Sequence, residues 1–422
     1  MTTITFADVV HQLIDLSLEN PAESAVLKVI DTPWFQRLRD ISQTANTRLV
    51  YMFSEHSRFG HSIGVAHLAK LLMTHLERRF PNEVSEFRTP VLLAATLHDV
   101  GHLAPGSHTA FKAWFPGKPD THEELSSRVI REDPHVRSIV ESMGASTLST
   151  VCAILDESPS VPPWTWEIIS GGGWNVDRGN WCVVDSILAG VSYGRYNIQA
   201  LTEAIQLTSD RHLALDESRL DAMMHFTLSR HAMYRQIYQH RVLLASDMIN
   251  KAIVQRARDL GKDLGFADEV MKEALAAKDA SELSLHSVFW MRESWWRYHL
   301  MRWSEGSDAT LADLSKRLID RRLFKTVRIH EVDDGSELKE KARAAVVAAG
   351  FDPAYYLHEI STSDVHTGDY KNPMLVQMED GRLRHLSDAE PLFQALVRES
   401  RTAIKRWLAL PEEAKQRLGR RR

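Results

Sequence analysis

The feature that most constrains the fold is a helical spacing of apolar residues that begins just after His61. The apolar positions that recur at intervals of three and four residues are Val65, Leu68, Ala69, Leu72 and Leu76. This spacing places them on one face of an amphipathic helix, with His61 in its opening turn. Because such a face must be buried against other elements, the chain is expected to build a packed helical core.

Capping signals predict a second helix. Thr89 suits the N-cap, Pro90 suits the first turn, and Gly101 stands where a glycine commonly ends a helix. His98 and Asp99 would then close a buried helix. A buried histidine and carboxylate need a compensating group, such as a divalent metal ion. For the pair taken alone, a capping or ion-paired role is the better interpretation.

Two further helices carry polar and aromatic residues at four-residue intervals, where a core face would be apolar. The residues are Asp177, Trp181 and Asp185 on one helix, after the glycines at 171–173, and Arg230, Tyr234 and Tyr238 on a long helix of about 219–258. Trp181 fits either core packing or a site on this face. Two helical faces thus carry charged and aromatic side chains together.

From about residue 325 the character of the chain changes. The stretch TVRIHEV predicts a strand, and Asp380-Gly381 predicts a type I′ turn in a hairpin. We therefore expect a mainly α fold. Its expected parts are a helical core with a helical extension over 1–325, a smaller α+β lobe with a hairpin over 326–410, and a basic, frayed tail over 411–422.

Composition narrows the partners and the compartment. The 51 basic and 56 acidic residues give a net charge of −5, so nucleic acid is not the favoured ligand. No apolar run approaches the roughly 18 residues of a membrane span, and the N-terminus lacks the features of a secretory signal. Two cysteines fit a reducing compartment. We expect a cytoplasmic protein without membrane contact.

Four residues form a candidate metal-ligand set. They are His61, His98, Asp99 and Asp177. Two imidazoles and two carboxylates suit Mn, Fe, Zn, Co or Ni better than Ca. Such a set leaves coordination positions open for water and substrate, which indicates catalysis.

The stretches around these residues resemble a known family. They are RFGHS, which contains His61, HDVGH, which begins with His98, and NVDR, which contains Asp177. In this order they resemble the HD-domain phosphohydrolases. The segments VIDTPWFQRLR, GHLAPGSH, THEE, VDRGNWCVVD and YQH resemble one branch, the deoxynucleoside triphosphate (dNTP) triphosphohydrolases, which comprises bacterial dGTPases and the vertebrate sterile-alpha-motif/HD protein. The similarity covers about residues 8–325 and, more weakly, the hairpin lobe.

The resemblance implies a helical HD core and a metal ion held by the four candidate ligands. A site with one ion and a site with Mg as a second ion are both open at this point. The resemblance also implies a reaction, in which metal-activated water attacks the α-phosphorus of a dNTP and releases a deoxynucleoside and inorganic triphosphate. The nucleotide is the expected substrate. The resemblance further implies a homo-oligomer, a dimer or tetramer.

The resemblance assigns roles residue by residue. The acid/base residues are His102, His108, His122 and Glu123. Phosphate contacts fall to Arg58, Arg178 and Arg230, and nucleoside contacts to Gln43, Trp181, Asp185, Tyr238 and Gln239. The ring of Tyr238 would exclude a 2′-hydroxyl. A regulatory nucleotide site is implied at Asp31, Gln36 and Arg39.

Some positions depart from the family, and other functions remain open. Trp181 replaces a frequent tyrosine, and Phe111 stands where relatives can carry an acidic partner for the catalytic histidine. We interpret His56, His67 and His75 as structural. The enzymatic alternatives are an HD-type phosphodiesterase, a nucleotidase and a single-strand nuclease. A non-catalytic nucleotide sensor is the alternative of another class.

Overall fold

The computed structural model describes residues 2–106, 108–330, 335–364, 373–402 and 404–418, and the side chains of residues 108–110, 364 and 400–402 lie outside this description. The helices of the first half are α1 (Pro21–Ile30), α2 (Pro33–Arg37), α3 (Arg58–Arg79), α4 (Pro81–Val84), α5 (Arg88–Leu97), α6 (His108–Trp114), α7 (His122–Glu132), α8 (Pro134–Glu141), α9 (Thr147–Leu155), α10 (Pro163–Ser170), α11 (Val176–Leu188) and α12 (Ile198–Thr202). Those of the second half are α13 (Leu220–Met233), α14 (Arg241–Leu260), α15 (Glu269–Ala276), α16 (Leu285–Trp290), α17 (Glu293–Ser304), α18 (Ala309–Ile319), α19 (Ser336–Ala348), α20 (Pro353–Tyr356), α21 (Leu386–Ala389), α22 (Pro391–Thr402) and α23 (Glu412–Arg417).

The strands are short and form small sheets. They are β1 (Thr3–Asp8), β2 (Gln12–Ser17), β3 (Ile205–Leu207), β4 (Leu213–Asp216), β5 (Lys325–Ile329), β6 (His358–Ser361), β7 (Leu375–Gln377), β8 (Leu383–His385) and β9 (Arg406–Leu410). The sheets are the hairpin β1-β2, the mixed sheet β3-β4-β7-β8 and the antiparallel sheet β5-β9-β6. The prediction of a mainly α fold with a smaller C-terminal α+β region is confirmed.

Helix α3 lies at the centre of the core. It begins at Arg58 and buries the apolar stripe that the sequence indicated, against α5 on one side and α11 on another. All five stripe residues are essentially inaccessible to solvent. The burial of this stripe fixes the rotation of α3, and the same rotation turns His61 towards α11.

The ends of α5 differ from the expectation. The helix begins at Arg88, two residues before Pro90, and Phe87 rather than Thr89 is its N-cap. The guanidinium of Arg88 donates hydrogen bonds to Glu77 and Thr74 on α3, which anchors the helix start earlier than the capping signal indicated. Its other end is His98, as predicted.

Gly101 has a different role from the predicted helix-ending glycine. It lies beyond the C-cap of α5, outside the left-handed backbone region. A Cβ atom there would lie 2.3 Å from the carbonyl oxygen of His122 and 2.5 Å from the amide nitrogen of Ser126. Glycine is therefore required because α7 approaches the backbone closely, not because the backbone turns to positive φ.

The predicted long helix over about 219–258 is two helices. A π-helical turn at Tyr234–Tyr238 follows α13, and His240 is extended before α14 begins. The amide of Gln239 donates to the carbonyl of Tyr234, which closes the wide turn. The sequence has no proline or glycine here, so the usual signals of a helix break are missing. Such turns often occur where side chains must be re-aimed at a site.

The C-terminal part contains the predicted strand, as β5, and the predicted hairpin, as β7 and β8. The turn is not type I′, because only Gly381 has positive φ. The amide of Gly381 donates to the carbonyl of Met378, which gives a three-residue loop ending in a left-handed glycine. Strand β7 also pairs in parallel with β4 of the preceding helical part. The domain division at residues 325/326 stays a prediction.

Two remaining expectations concern the membrane and the cysteines. Within the described residues, no helix has the length and apolar character needed to traverse a bilayer. Cys152 and Cys182 are both buried and free of disulfide bonds.

Gly101→Ala tests the close approach of α7. Because the new methyl group would clash with backbone atoms, we expect the free energy of unfolding to fall by about 1–3 kcal/mol, measured by urea denaturation. Gly60→Ala is the matched control, since a Cβ at this exposed position of α3 meets nothing within 4 Å. It should leave stability unchanged or raise it by up to about 1 kcal/mol. Equal stability of both variants would contradict this role of Gly101.

Candidate active site

Side chains from three helices meet at the centre of the molecule. His61 comes from the first turn of α3, His98 from the end of α5 and Asp177 from the first turn of α11. Nε2 of His61 lies 3.0 Å from Oδ1 of Asp177, and Nε2 of His98 lies 3.7 Å from the same oxygen. The three residues could hold a metal ion. The sequence predicted that they converge, and the structure brings them together.

Asp99, the fourth predicted ligand, also faces this centre. Its Oδ2 lies 3.7 Å from Nε2 of His61, and its Oδ1 lies 3.4 Å from Nε2 of His98. Arg58, which the resemblance assigned to phosphate, donates from Nη1 to Oδ2 of Asp99 at 2.7 Å and from Nη2 to the carbonyl of Gly106 at 3.2 Å. The guanidinium is thus buried against the acidic side of the centre.

Two observations indicate that these four side chains are suited to bind a transition-metal ion. Nε2 of His98 is buried without a hydrogen-bond partner among the described residues, although imidazole nitrogens in a protein interior normally have one. Nδ1 of His61 instead lies 3.0 Å from Oδ1 of Asn180, which orients Nε2 towards Asp177. A hydrogen-bonded second nitrogen is the usual support of a metal-binding histidine. The mixed nitrogen and oxygen set suits the predicted Mn, Fe, Zn, Co or Ni.

The centre is closed on one side and open on the other. The side chain of His61 is fully buried and that of Asp99 is 3% exposed, whereas that of Asp177 is 31% exposed. Burial would raise the pKa of Asp99, but Arg58 and His98 hold it well below its usual range. Burial would also raise the pKa of Asp177, and the contact with His61 and the nearby charge of His98 lower it. Both carboxylates are therefore charged at neutral pH, as metal ligands must be.

A second histidine pair adjoins the centre. His102 lies 3.2 Å from Oδ1 of Asp99, and its ring stacks on His122 with centroids 3.9 Å apart. Burial lowers the pKa of His102 well below its usual value, with Arg58 and His122 adding to the effect. For His122, burial is outweighed by the carboxylate of Asp120, which raises the pKa to about 9.

Asp120 is an acidic partner of His122, whereas Phe111 stands where relatives can carry one for the catalytic histidine. Oδ1 of Asp120 lies 2.9 Å from Nδ1 of His122. Phe111 is buried in the core beside Phe115. Glu123, in the first turn of α7, also raises the pKa of His122 through its charge. The side chain of His108, another predicted acid/base residue, lies outside the described part of the chain.

The predicted nucleoside contacts gather further along α11. Asp185 is 3% exposed, and the hydroxyl of Tyr238 donates to its Oδ2. Nε2 of His56 lies 2.8 Å from Oδ1 of the same carboxylate. The backbone amide of Gln43 donates to the carbonyl of His56 at 3.1 Å, so the predicted contact Gln43 lies in the same neighbourhood. The π-helical turn places Tyr238 against α11.

Trp181 has contacts that fit both interpretations from the sequence, core packing and a place in the candidate site. Its ring meets Tyr238 edge-on with centroids 5.4 Å apart, and Tyr234 at 6.0 Å. It also packs on the hydrophobic core. The guanidinium of Arg230 lies 5.1 Å from the ring centroid of Tyr234 and is almost fully buried. The three aromatic side chains form one surface, which we call the aromatic wall and define as Trp181, Tyr234 and Tyr238.

The other predicted substrate residues have backbone partners. Nη1 of Arg178 donates to the carbonyls of Gly171 and Gly173 at 2.7 and 3.3 Å, which ties the first turn of α11 to the glycine loop before it. Nε2 of Gln239 donates to the carbonyl of Thr362 at 3.2 Å. Their substrate roles stay predictions.

A buried carboxylate far along the chain supports the site. Oε1 of Glu293 accepts hydrogen bonds from the amides of Gly106 at 2.8 Å and Ser42 at 3.4 Å. A Cβ at Gly106 would lie 2.1 Å from the carbonyl oxygen of Ser42, so the two loops touch through their backbones. Glu293 therefore holds the loop next to Gln43 against the loop that accepts the Arg58 guanidinium.

The predicted regulatory residues lie near the start of the helical core. Nε of Arg39 donates to Oε1 of Gln36 at 2.8 Å, and its guanidinium lies 3.5 Å from the ring centroid of Phe59. Asp31 is the exposed C-cap of α1. The structure brings Gln36 and Arg39 into contact, and a regulatory role stays a prediction.

Sequence reasoning missed four contributors to the site. His56 was interpreted as structural, although it stands two residues before Arg58. Asp120 stands two residues before His122, and Asn180 three after Asp177, so proximity to a predicted residue could have indicated both. Glu293 gave no signal, because only the fold brings it to this place.

Comparison with known proteins agrees with this geometry. Residues 58–158 match the HD domain family. The chain carries an HD domain. The matched residues include His61, His98 and Asp99, while Asp177 lies beyond them. The domain thus accounts for three of the four residues at the centre.

One relative matches over most of the chain, and two others match over about half of it. The chain is 27% identical over 406 residues to the uncharacterized protein YwfO of Bacillus subtilis, covering 94% of this chain and 90% of that protein. It is 26% identical to the deoxynucleoside triphosphate triphosphohydrolase SAMHD1 of Gallus gallus and 28% identical to the SAMHD1 homolog of Dictyostelium discoideum. These two matches cover 56% of this chain, and 42% and 46% of the relatives, so the chain spans less than half of either.

Solved structures share the fold. A phosphohydrolase from Bacteroides thetaiotaomicron superimposes with a TM-score of 0.80 at 22% identity, covering 97% of this chain and all of the other. A hypothetical protein from Aquifex aeolicus gives a TM-score of 0.74 at 22% identity over 99% of this chain and all of its own. The chain therefore shares the fold of these two proteins over nearly its whole length.

Asn180→Ala tests the support of His61. Without the amide oxygen the imidazole loses its fixed orientation, so we expect Mn²⁺ to bind roughly ten- to a hundredfold more weakly by isothermal titration calorimetry. His75→Ala is the control, because His75 lies on the same helix but contacts the carbonyl of Ile205. Its Mn²⁺ affinity should equal that of the wild type. Unchanged affinity in Asn180→Ala would contradict the role of Asn180.

Proposed function

We propose that the protein is a metal-dependent phosphohydrolase that cleaves deoxynucleoside triphosphates to deoxynucleoside and inorganic triphosphate. The observation that carries the proposal is the convergence of His61, His98, Asp99 and Asp177, whose ligand atoms lie less than 4 Å from one another in pairs, with the stacked rings of His102 and His122 beside them. The SAMHD1 relatives, named as triphosphohydrolases of these substrates, support the choice of substrate.

The four side chains at the centre would hold the divalent cation. When bound, such an ion supplies charge neutralisation at a phosphoryl group and a water molecule of lowered pKa. Asp177 lies on the more exposed side of the centre, so substrate would enter past it. Arg58 neutralises Asp99 from the closed side and fixes the direction of its carboxylate.

The reaction requires a proton at the leaving oxygen. Water attacks the α-phosphorus, the bond from that phosphorus to the 5′-oxygen of deoxyribose breaks, and the departing oxygen takes up a proton. His122 is suited to donate it, because Asp120 raises its pKa to about 9 and keeps it charged at neutral pH. The hydroxyl group of the water remains on the triphosphate, and the other proton of the water replaces the one that His122 donated.

Different residues are assigned to the triphosphate and to the nucleoside of the substrate. A triphosphate carries about four negative charges, which guanidinium groups bind well. Arg178, next to Asp177 on α11, and Arg230, behind the aromatic wall, are assigned to these phosphates. Asp185, Tyr238 and Gln43 are assigned to the nucleoside. The tyrosine ring would exclude a 2′-hydroxyl group.

Product analysis tests the reaction directly. With a deoxynucleoside triphosphate and Mn²⁺, ion-exchange chromatography should resolve deoxynucleoside and triphosphate as the only products. His98→Ala and Asp99→Ala should lower kcat/KM by at least about a hundredfold and lose Mn²⁺ binding together. The exposed Asp210→Ala is the control and should retain both. Stepwise release of monophosphate would favour the phosphodiesterase or nucleotidase alternative, and nucleotide binding without turnover the sensor.

Asp120→Asn tests the proton donor. The substitution keeps the shape of the side chain but removes the charge that holds the proton on His122, so we expect kcat to fall by about a hundredfold with little change in KM. Glu124→Gln, at an exposed position of the same turn, should leave both constants unchanged. Wild-type kcat in Asp120→Asn would remove His122 from this role.

A further inference from the structure

The carboxylate of Asp185 is held from two sides by residues distant in sequence. Nε2 of His56 lies 2.8 Å from its Oδ1, and the hydroxyl of Tyr238 donates to its Oδ2. The two side chains of the His56–Asp185 pair are only 12% and 5% exposed. A carboxylate this deeply buried needs a donor on each oxygen, because water cannot replace a lost partner.

The backbone around His56 is itself fixed. Its carbonyl accepts a hydrogen bond from the amide of Gln43, and the amide of Arg58 donates to the carbonyl of Ile41 at 2.9 Å. An isolated antiparallel bridge joins Ser42 to Ser57 between these bonds. These backbone contacts fix the position of the His56 imidazole without any contribution from α11. His56 can therefore hold the side chain of Asp185, which lies on that helix, in a defined orientation.

We propose that His56 is a positioning residue for the nucleoside end of the substrate. It holds Asp185 in the orientation needed for contact with the nucleoside, while Tyr238 holds the other oxygen and presents its ring to the sugar. This inference rests on the proposed function, because Asp185 is assigned to the nucleoside there. It gives a role to a histidine that the sequence alone indicated as structural.

The fold separates this role from the metal centre. Asp185 stands eight residues after Asp177 on α11, which corresponds to about 12 Å along the helix axis. Loss of His56 should therefore weaken binding of the nucleoside and leave the phosphate end unaffected. A general structural defect would disturb both ends, and this difference provides the test.

The experiment compares His56→Ala and His56→Gln with the wild type in the full chain with Mn²⁺. Glutamine carries its amide nitrogen the same number of bonds from Cα as Nε2 of histidine, so it can still donate to Asp185. The measurements are kcat and KM for a deoxynucleoside triphosphate, and inhibition by inorganic tripolyphosphate, which lacks the nucleoside. His75→Ala controls for loss of a partly buried histidine elsewhere.

We expect His56→Ala to raise KM by roughly ten- to a hundredfold, with kcat within about threefold of the wild type. The inhibition constant of tripolyphosphate should be unchanged, and His56→Gln should restore most of the wild-type KM. The positioning role would be overturned if KM were unchanged in His56→Ala, or if tripolyphosphate affinity fell by the same factor as nucleotide affinity. In either case, turnover by the wild type would still support the proposed function. A wild-type protein that neither cleaves nor binds the nucleotide would overturn both.

Discussion

The structure depends on the burial of opposite charges where α3, α5 and α11 meet. Asp99 is 2% exposed and is surrounded by Arg58 and three histidines. Removing such groups from water is costly unless each is paired, so the three helices must bring their partners to fixed places. The apolar stripe of α3 and the close approach of α7 at Gly101 meet this requirement by setting the rotation and spacing of the helices.

Helix α11 connects the parts of the site. Its first turn carries Asp177 at the proposed metal centre, its second carries Asn180 against His61, and its far end carries Asp185 beside Tyr238. Trp181 continues the same face into the aromatic wall. One helix therefore spaces the proposed metal ligands from the proposed nucleoside contacts, and its length suits the proposed substrate, which is charged at one end and aromatic at the other.

Sequence periodicity predicted the elements that carry their own signal. The stripe of α3 and the polar face of α11 follow from spacing, and capping signals placed the end of α5 at His98. The break at Gln239–His240 and the start of α5 did not, because both lie where side chains contact another helix: Tyr238 contacts Asp185 on α11, and Arg88 contacts Glu77 on α3. The same limit explains Glu293, whose role exists only once the fold has joined two distant loops, and His56, whose partner lies 129 residues away.

We propose that four side chains, those of His61, His98, Asp99 and Asp177, hold one catalytic cation. An anomalous difference map from crystals grown with Mn²⁺, recorded near the manganese absorption edge, tests this proposal most directly. We expect one strong peak within ligand distance of the four side chains. A map without density there, from protein that remains active with Mn²⁺, would contradict it.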